Sequence, residues 1–175
     1  NVTEIKALFF DVFGTVVDWR GSIARLGGAM SDNLGLPNDF DWYAFADAWR
    51  SEYQPAMAEV RKGRRPYTRL DTLHRENLDR VLPRFGLEYI DEDARENMNL
   101  FWHRLDAWPD SVPGLLSLKS RFIIASMSNG NTAMMVNMAK HAKLPWDCIL
   151  GADPAGHYKP DSETYLTGAE WLDLQ

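Results

Sequence analysis

The sequence predicts a doubly wound α/β fold: a parallel sheet flanked by helices, with a helical block inserted after the first strand. Three observations predict it. Residues 5–10 form a nearly continuous apolar run, broken only by Lys6, that ends on the lone carboxylate of Asp11. Such runs suit strands buried on both faces of a parallel sheet. Beyond Pro109, strand-like and helix-like stretches alternate, the pattern of strand–helix–strand units. Between these regions the periodicity is helical throughout. The expected division is therefore a core at residues 1–18 and 106–175 and a helical cap at 19–105. In such folds the chemistry sits at the carboxyl edge of the sheet, where strands end and loops begin.

Each element has its own signal. Residues 22–34 carry a helical period, and Gly35 stops it. Residues 41–62 place Phe45, Trp49, Tyr53, Met57 and Val60 at steps of three and four, one face of a single helix. Residues 67–82 and 91–105 read as two more helices. Asp91, Glu92 and Asp93 stand at the positive end of the second. Then follow a helix at 112–120, a buried strand at 122–127, a helix at 132–142, a short strand at 146–150 and a helix at 161–172. No internal repeat and no low-complexity tract interrupts this order.

Composition excludes several function classes. A net charge of -6 provides no electrostatic footprint for nucleic acid. The one dense basic run, Arg61-Lys62-Gly63-Arg64-Arg65, reads as a solvated helix end and loop rather than a binding patch. No stretch of roughly twenty apolar residues suggests a transmembrane helix, and no charged-then-apolar leader is legible at the N-terminus. The single cysteine, Cys148, cannot form an internal disulfide. That favours a reducing compartment, the cytoplasm. Its apolar neighbours make it a packing residue.

Three segments fall at strand ends or helix starts: Asp11-Val12-Phe13-Gly14-Thr15, Ser126-Met127-Ser128-Asn129-Gly130-Asn131 and Tyr158-Lys159-Pro160-Asp161. Together they offer a carboxylate, hydroxyl and amide groups, and an ammonium. A carboxylate can attack carbon or phosphorus and form an ester. A nearby lysine keeps the acid ionised and oriented. Gly14 lets the backbone turn sharply after the strand. His157 invites a reading as a general base, but a lone loop histidine is more often a bystander. Asp18 and Asp161 read as helix caps or turn residues.

These motifs resemble the haloacid dehalogenase superfamily and, within it, the 2-haloacid dehalogenases. Asp11 to Thr15 matches the first motif, Ser128-Asn129-Gly130 the second and Lys159-Pro160-Asp161 the third, in the right order around a helical insertion. The resemblance implies a Rossmann-like core, no cofactor and no metal, a small haloacid as substrate and a possible homodimer. It implies Asp11 as nucleophile, with Thr15 and Lys159 as its catalytic partners. Val12, Phe13, Arg50, Ser128, Asn129 and Tyr165 are implied as substrate or halide contacts. Arg50 matches the cap arginine that meets the departing halide, within Ala48-Trp49-Arg50-Ser51-Glu52-Tyr53. Its bland alternative is a surface residue paired with Glu52. Tyr165 reads equally well as a core residue of its helix face.

Phe13 separates two chemistries within that superfamily. Phosphatases carry a second aspartate there to protonate a leaving alcohol. A halide needs no proton, so an apolar residue suffices and dries the site. A magnesium-dependent phosphatase, a hydrolase that opens small cyclic amino acids, and a non-catalytic module that keeps only the fold remain the rival readings. The superfamily's fourth, acidic motif is not found, so the chain is expected to be C-terminally incomplete.

Overall fold

The structure is a computed structural model that describes residues 4–174; the expected core positions 1–3 and 175 lie outside the described residues. Strand β1 (Ala7–Phe10) leads through a tight loop to β2 (Val17–Asp18). Helices α1 (Trp19–Met30), α2 (Trp42–Ser51), α3 (Tyr53–Arg61), α4 (Leu70–Val81) and α5 (Glu92–Asn99) follow. Strand β3 (Asp106–Ala107), α6 (Ser111–Lys119), β4 (Ile123–Met127), α7 (Thr132–Ala142), β5 (Cys148–Leu150) and α8 (Ser162–Trp171) complete the order.

The main sheet has the order β1-β4-β5 and is parallel throughout. Phe10 lies opposite Ser126, and Met127 opposite Leu150. All three strands therefore end at one edge, and the loops after them share it. Gly151 permits the closest approach there: a Cβ on it would stand 2.6 Å from the Gly130 carbonyl oxygen. The shorter β2 and β3 pair antiparallel, Val17 opposite Ala107. They bring together the points where the chain enters and leaves the helical block.

Helix starts follow the expected chemistry. Asp18 caps α1 by accepting from the Gly21 N–H at 2.9 Å, and Asp91 caps α5 by accepting from Ala94 at 2.9 Å. Such caps satisfy N–H groups that have no intrahelical partner. Asp161 sits at the N-cap of α8, but its carboxylate takes Arg61 at 3.1 Å instead.

Three expectations need correction. Residues 41–62 form two helices, broken at Glu52. Pro55 is the cause: it has no N–H for the Ser51 carbonyl, and its ring crowds that group. The segment 91–105 is helical only to Asn99, then tightens into a 3-10 turn at Leu100–His103. β1 is half-buried rather than buried, because it lies at the edge of the sheet among the described residues; Ile5 before it is 64% exposed.

The main core extends from the sheet into the helical block. Phe45, Trp49, Trp102 and Leu70 are fully buried there. Trp102 lies at the centre, edge-on to Trp49 at 5.4 Å and stacked on His74 at 4.2 Å between ring centroids. Large aromatics of this kind dominate burial energy. Cys148 lies half-buried against Ala125, Met127 and Leu150. The basic run ends α3 and enters a loop, its arginines paired with Asp161, Glu59 and Glu76.

Candidate active site

The chain turns immediately after β1. Gly14 adopts φ +84°, a conformation open to glycine at no steric cost. The Val12 carbonyl accepts from Val16 at 2.9 Å, and the Gly14 N–H donates to Val17 at 2.9 Å. This loop folds Thr15 back onto the residue before it, and its hydroxyl donates to Asp11 Oδ2 at 2.6 Å. Lys159, from the loop before α8, donates through Nζ to Asp11 Oδ1 at 2.9 Å. Both carboxylate oxygens are thus held, while the side chain stays 53% exposed and Lys159 only 17%. Partial burial pushes the Asp11 carboxyl up, but the bonds from Lys159, Thr15 and the Val12 backbone outweigh it, leaving the acid below its usual range. Asp11 is an ionised, oriented, accessible carboxylate.

The loop after β4 supplies the other wall. The Asn129 Oδ1 accepts from the Lys159 N–H at 2.7 Å, and Nδ2 donates to the Tyr53 hydroxyl at 2.9 Å. Ser128 Oγ accepts from the Gly130 N–H at 3.1 Å, which leaves its own hydrogen available. Asn131 is clasped by Asp71 of α4: the Asp71 N–H donates to Oδ1 at 3.1 Å, and Nδ2 donates to Asp71 Oδ2 at 2.9 Å. His103 Nε2 takes the other Asp71 oxygen at 2.8 Å. Burial raises the Asp71 carboxyl, yet His103 and Asn131 together hold it lowered.

Arg50 ends α2 with its guanidinium 3.8 Å from the Tyr53 ring centroid and 5.8 Å from that of Trp19. It has no carboxylate partner among the described residues. Glu52, its bland partner, is taken by Arg84 at 2.5 Å and Arg80 at 3.5 Å. Phe13 lies edge-on to Trp102 at 6.0 Å, so the position that separates the two chemistries joins the aromatic wall.

The structure thus brings Asp11, Thr15, Lys159 and Asn129 into one hydrogen-bonded group, with Ser128 in the same loop. Val12 meets Asp11 through its backbone, and Tyr165 stands apart from the group. The Val12 side chain is fully buried in the core, so only its backbone faces the loop. Tyr165 is 45% exposed and outside the group. On α8 it is Thr164 and Gly168 that turn inward, and Tyr165 is about 100° of helix rotation from Thr164. His157 lies 3.5 Å from Asp161, in an ion-pair cluster with Arg61. Sequence reasoning missed Tyr53 and Asp71 as site residues. Tyr53 was legible only as one more apolar position of its helix face, and Asp71 had no local signal.

A parallel α/β sheet with a lysine-clasped aspartate at its carboxyl edge defines the class as an aspartate-centred α/β hydrolase. The chain belongs to the haloacid dehalogenase-like hydrolase family, which matches it over residues 5–175. It is 28% identical to (S)-2-haloacid dehalogenase 4A of Burkholderia cepacia, over 99% of this chain and 72% of that protein. It is also 28% identical to (S)-2-haloacid dehalogenase 1 of Pseudomonas sp. (strain CBS-3), over 98% of this chain and 72% of that one. Among solved structures it resembles a defluorinating L-2-haloacid dehalogenase at 45% identity with a TM-score of 0.94, covering 98% of this chain and 70% of that one.

Proposed function

We propose that this protein hydrolyses short 2-haloalkanoic acids to 2-hydroxy acids through an ester on Asp11. The observation that carries the reading is the ionised Asp11 carboxylate, with Lys159 on one oxygen, Thr15 on the other, and a phenylalanine two residues on. One Asp11 oxygen attacks the carbon that bears the halogen. The new C–O bond forms as the C–X bond breaks, and the halide leaves with the electron pair. Water then attacks the ester carbonyl of Asp11, the acyl C–O bond breaks, one water proton goes to the departing alkoxide to give the hydroxy acid and the other to solvent, and the carboxylate is restored.

Lys159 and Thr15 orient the nucleophile in this reading. Arg50, a permanent cation without a carboxylate partner among the described residues, faces the developing anion. The spare Ser128 hydrogen suits the substrate carboxylate. Phe13 keeps the reaction centre dry. Residues 19–105 act as the cap over a core formed by the rest. Two contacts between these parts support that division, Asn129 with Tyr53 and Asn131 with Asp71. The lone cysteine favours the cytoplasm, and no helix of the described residues is long and apolar enough to cross a membrane.

The test is halide release from chloroacetate and 2-chloropropionate. Asp11→Asn should abolish it, and intact-protein mass spectrometry should detect the dehalogenated acid on Asp11 of the unaltered protein under single turnover. Substantial activity in the Asp11→Asn variant would sink the mechanism. Magnesium-dependent phosphate release from a small ester, without halide release, would transfer the site to the phosphatases.

A further inference from the structure

Asn129 is expected to contact substrate or halide, and its amide is also one link of a hydrogen-bonded chain. Lys159 N–H on Oδ1 at 2.7 Å sets which end of the amide is oxygen. Nδ2 then faces Tyr53 Oη at 2.9 Å and Met57 Sδ at 3.9 Å. Two amide hydrogens and one carbonyl account for the group's capacity along these directions.

The next link of that chain carries a further donor. A phenol that accepts from Asn129 keeps its own hydrogen, and that hydrogen has no acceptor among the described residues. Tyr53 is 6% exposed, so bulk water does little to satisfy it. The Arg50 guanidinium lies over the same ring at 3.8 Å. Through Asn129 and Lys159, the hydroxyl connects to the carboxylate of Asp11. A free O–H beside a cation without a carboxylate partner is a cradle for a small anion. Burial, only partly offset by Asn129 and Arg50, also pushes the phenol's pKa up, so it carries its proton at neutral pH.

We infer that the Tyr53 hydroxyl, with Arg50, hydrogen-bonds the halide as it leaves carbon, and so sets which halogens the enzyme removes. The inference rests on the dehalogenase reading above. The bond is a hydrogen bond only: Asp11 supplies the electron pair to carbon, the halide takes the C–X pair, and Tyr53 keeps its proton. Fluoride, the smallest halide with the most concentrated charge, gains most from such a donor, and bromide least.

The experiment is Tyr53→Phe in the full-length protein, assayed for kcat and kcat/KM on fluoroacetate, chloroacetate and bromoacetate. The variant keeps the ring under Arg50 and removes only the hydroxyl. We expect kcat/KM for fluoroacetate to fall about tenfold further than for bromoacetate, with chloroacetate between them. If fluoride release by the unaltered protein is too slow to measure, chloroacetate against iodoacetate reports the same order. An equal fall on all substrates, as loss of packing or of a carboxylate contact would cause, overturns the assignment; so does no fall. Should the unaltered protein release no halide from any of them, the dehalogenase reading fails and takes this one with it. Should Tyr53→Phe not fold, 3-fluorotyrosine at position 53 supplies a stronger donor of similar shape. It should then raise the fluoride-to-bromide ratio, and an unchanged ratio again overturns the role.

Discussion

Lys159 Nζ lies 2.9 Å from Asp11 Oδ1, although 148 residues separate them in the chain. The contact brings together the loops after β1 and before α8, and it is the largest influence that lowers the Asp11 carboxyl against partial burial. Replacing Lys159 by methionine removes the ammonium and keeps most of the stem. With that stabilisation of the carboxylate lost, the Asp11 pKa rises. The acid limb of the pH–rate profile should move to higher pH, and kcat should fall roughly a hundredfold. An unmoved acid limb would show that Lys159 does not control the ionisation of Asp11.

Much of this arrangement is legible in the sequence. The alternation after Pro109 placed β4, α7 and α8 within a residue or two, because buried strands and capped helices leave local marks. The strand ends marked out the three loops, and the resemblance of their motifs to those of the haloacid dehalogenase superfamily singled out Asp11, Thr15, Ser128, Asn129 and Lys159 within them. What stayed hidden depends on distance in the chain. Asp71 meets Asn131 across 60 positions, and no spacing rule connects them. Tyr53 was read from its apolar period, which accounts for its ring but not for its hydroxyl. Pro55 was visible, yet the strong period of Phe45, Trp49 and Tyr53 hid the helix break it causes.

Asp71 should matter for stability more than an exposed acid would. Its carboxylate binds Asn131 and His103, with 21% of the side chain exposed. Asp71→Ala leaves Asn131 Nδ2 and His103 Nε2 without their carboxylate partner. The expected loss is about 2–3 kcal/mol. Urea unfolding at neutral pH measures it, and a loss under about 0.5 kcal/mol, as for a surface position, would show that the clasp is replaceable.

Gly27 marks a steric limit in α1. A Cβ there would stand 2.2 Å from Trp42 Cε3, and the indole cannot swing away without giving up its N–H bond to Ser31 Oγ at 2.8 Å. Alanine improves helix propensity by about 1 kcal/mol, but overpacking costs about 1–3 kcal/mol, and the rigid indole places this site at the upper end. Gly27→Ala should therefore lower Tm by several degrees. Gly28, with open space around its Cβ position, is the control, and Gly28→Ala should hold or raise Tm.

His74 makes folding sensitive to acid. Burial drives its pKa from 6.5 down to about 3, against the partial opposition of Asp71. Stacked on Trp102, the imidazole stays neutral in the folded state at pH 7. The unfolded chain takes up a proton below about pH 6.5 and the folded chain does not until about pH 3, so the unfolded state binds more protons in that window. Stability should therefore fall as pH drops from 6.5 towards 3, by at most about 1.4 kcal/mol per pH unit from this group. Asp71, lowered in the folded state, adds a loss of the same sign once pH passes below the ordinary carboxylate range. His74→Phe keeps an aromatic ring against Trp102 and removes the titration. Unfolding free energies at pH 7, 6, 5 and 4.5 should show a clear slope in the unaltered protein and a much flatter one in this variant. Equal slopes in both would place the acid sensitivity on the carboxylates instead.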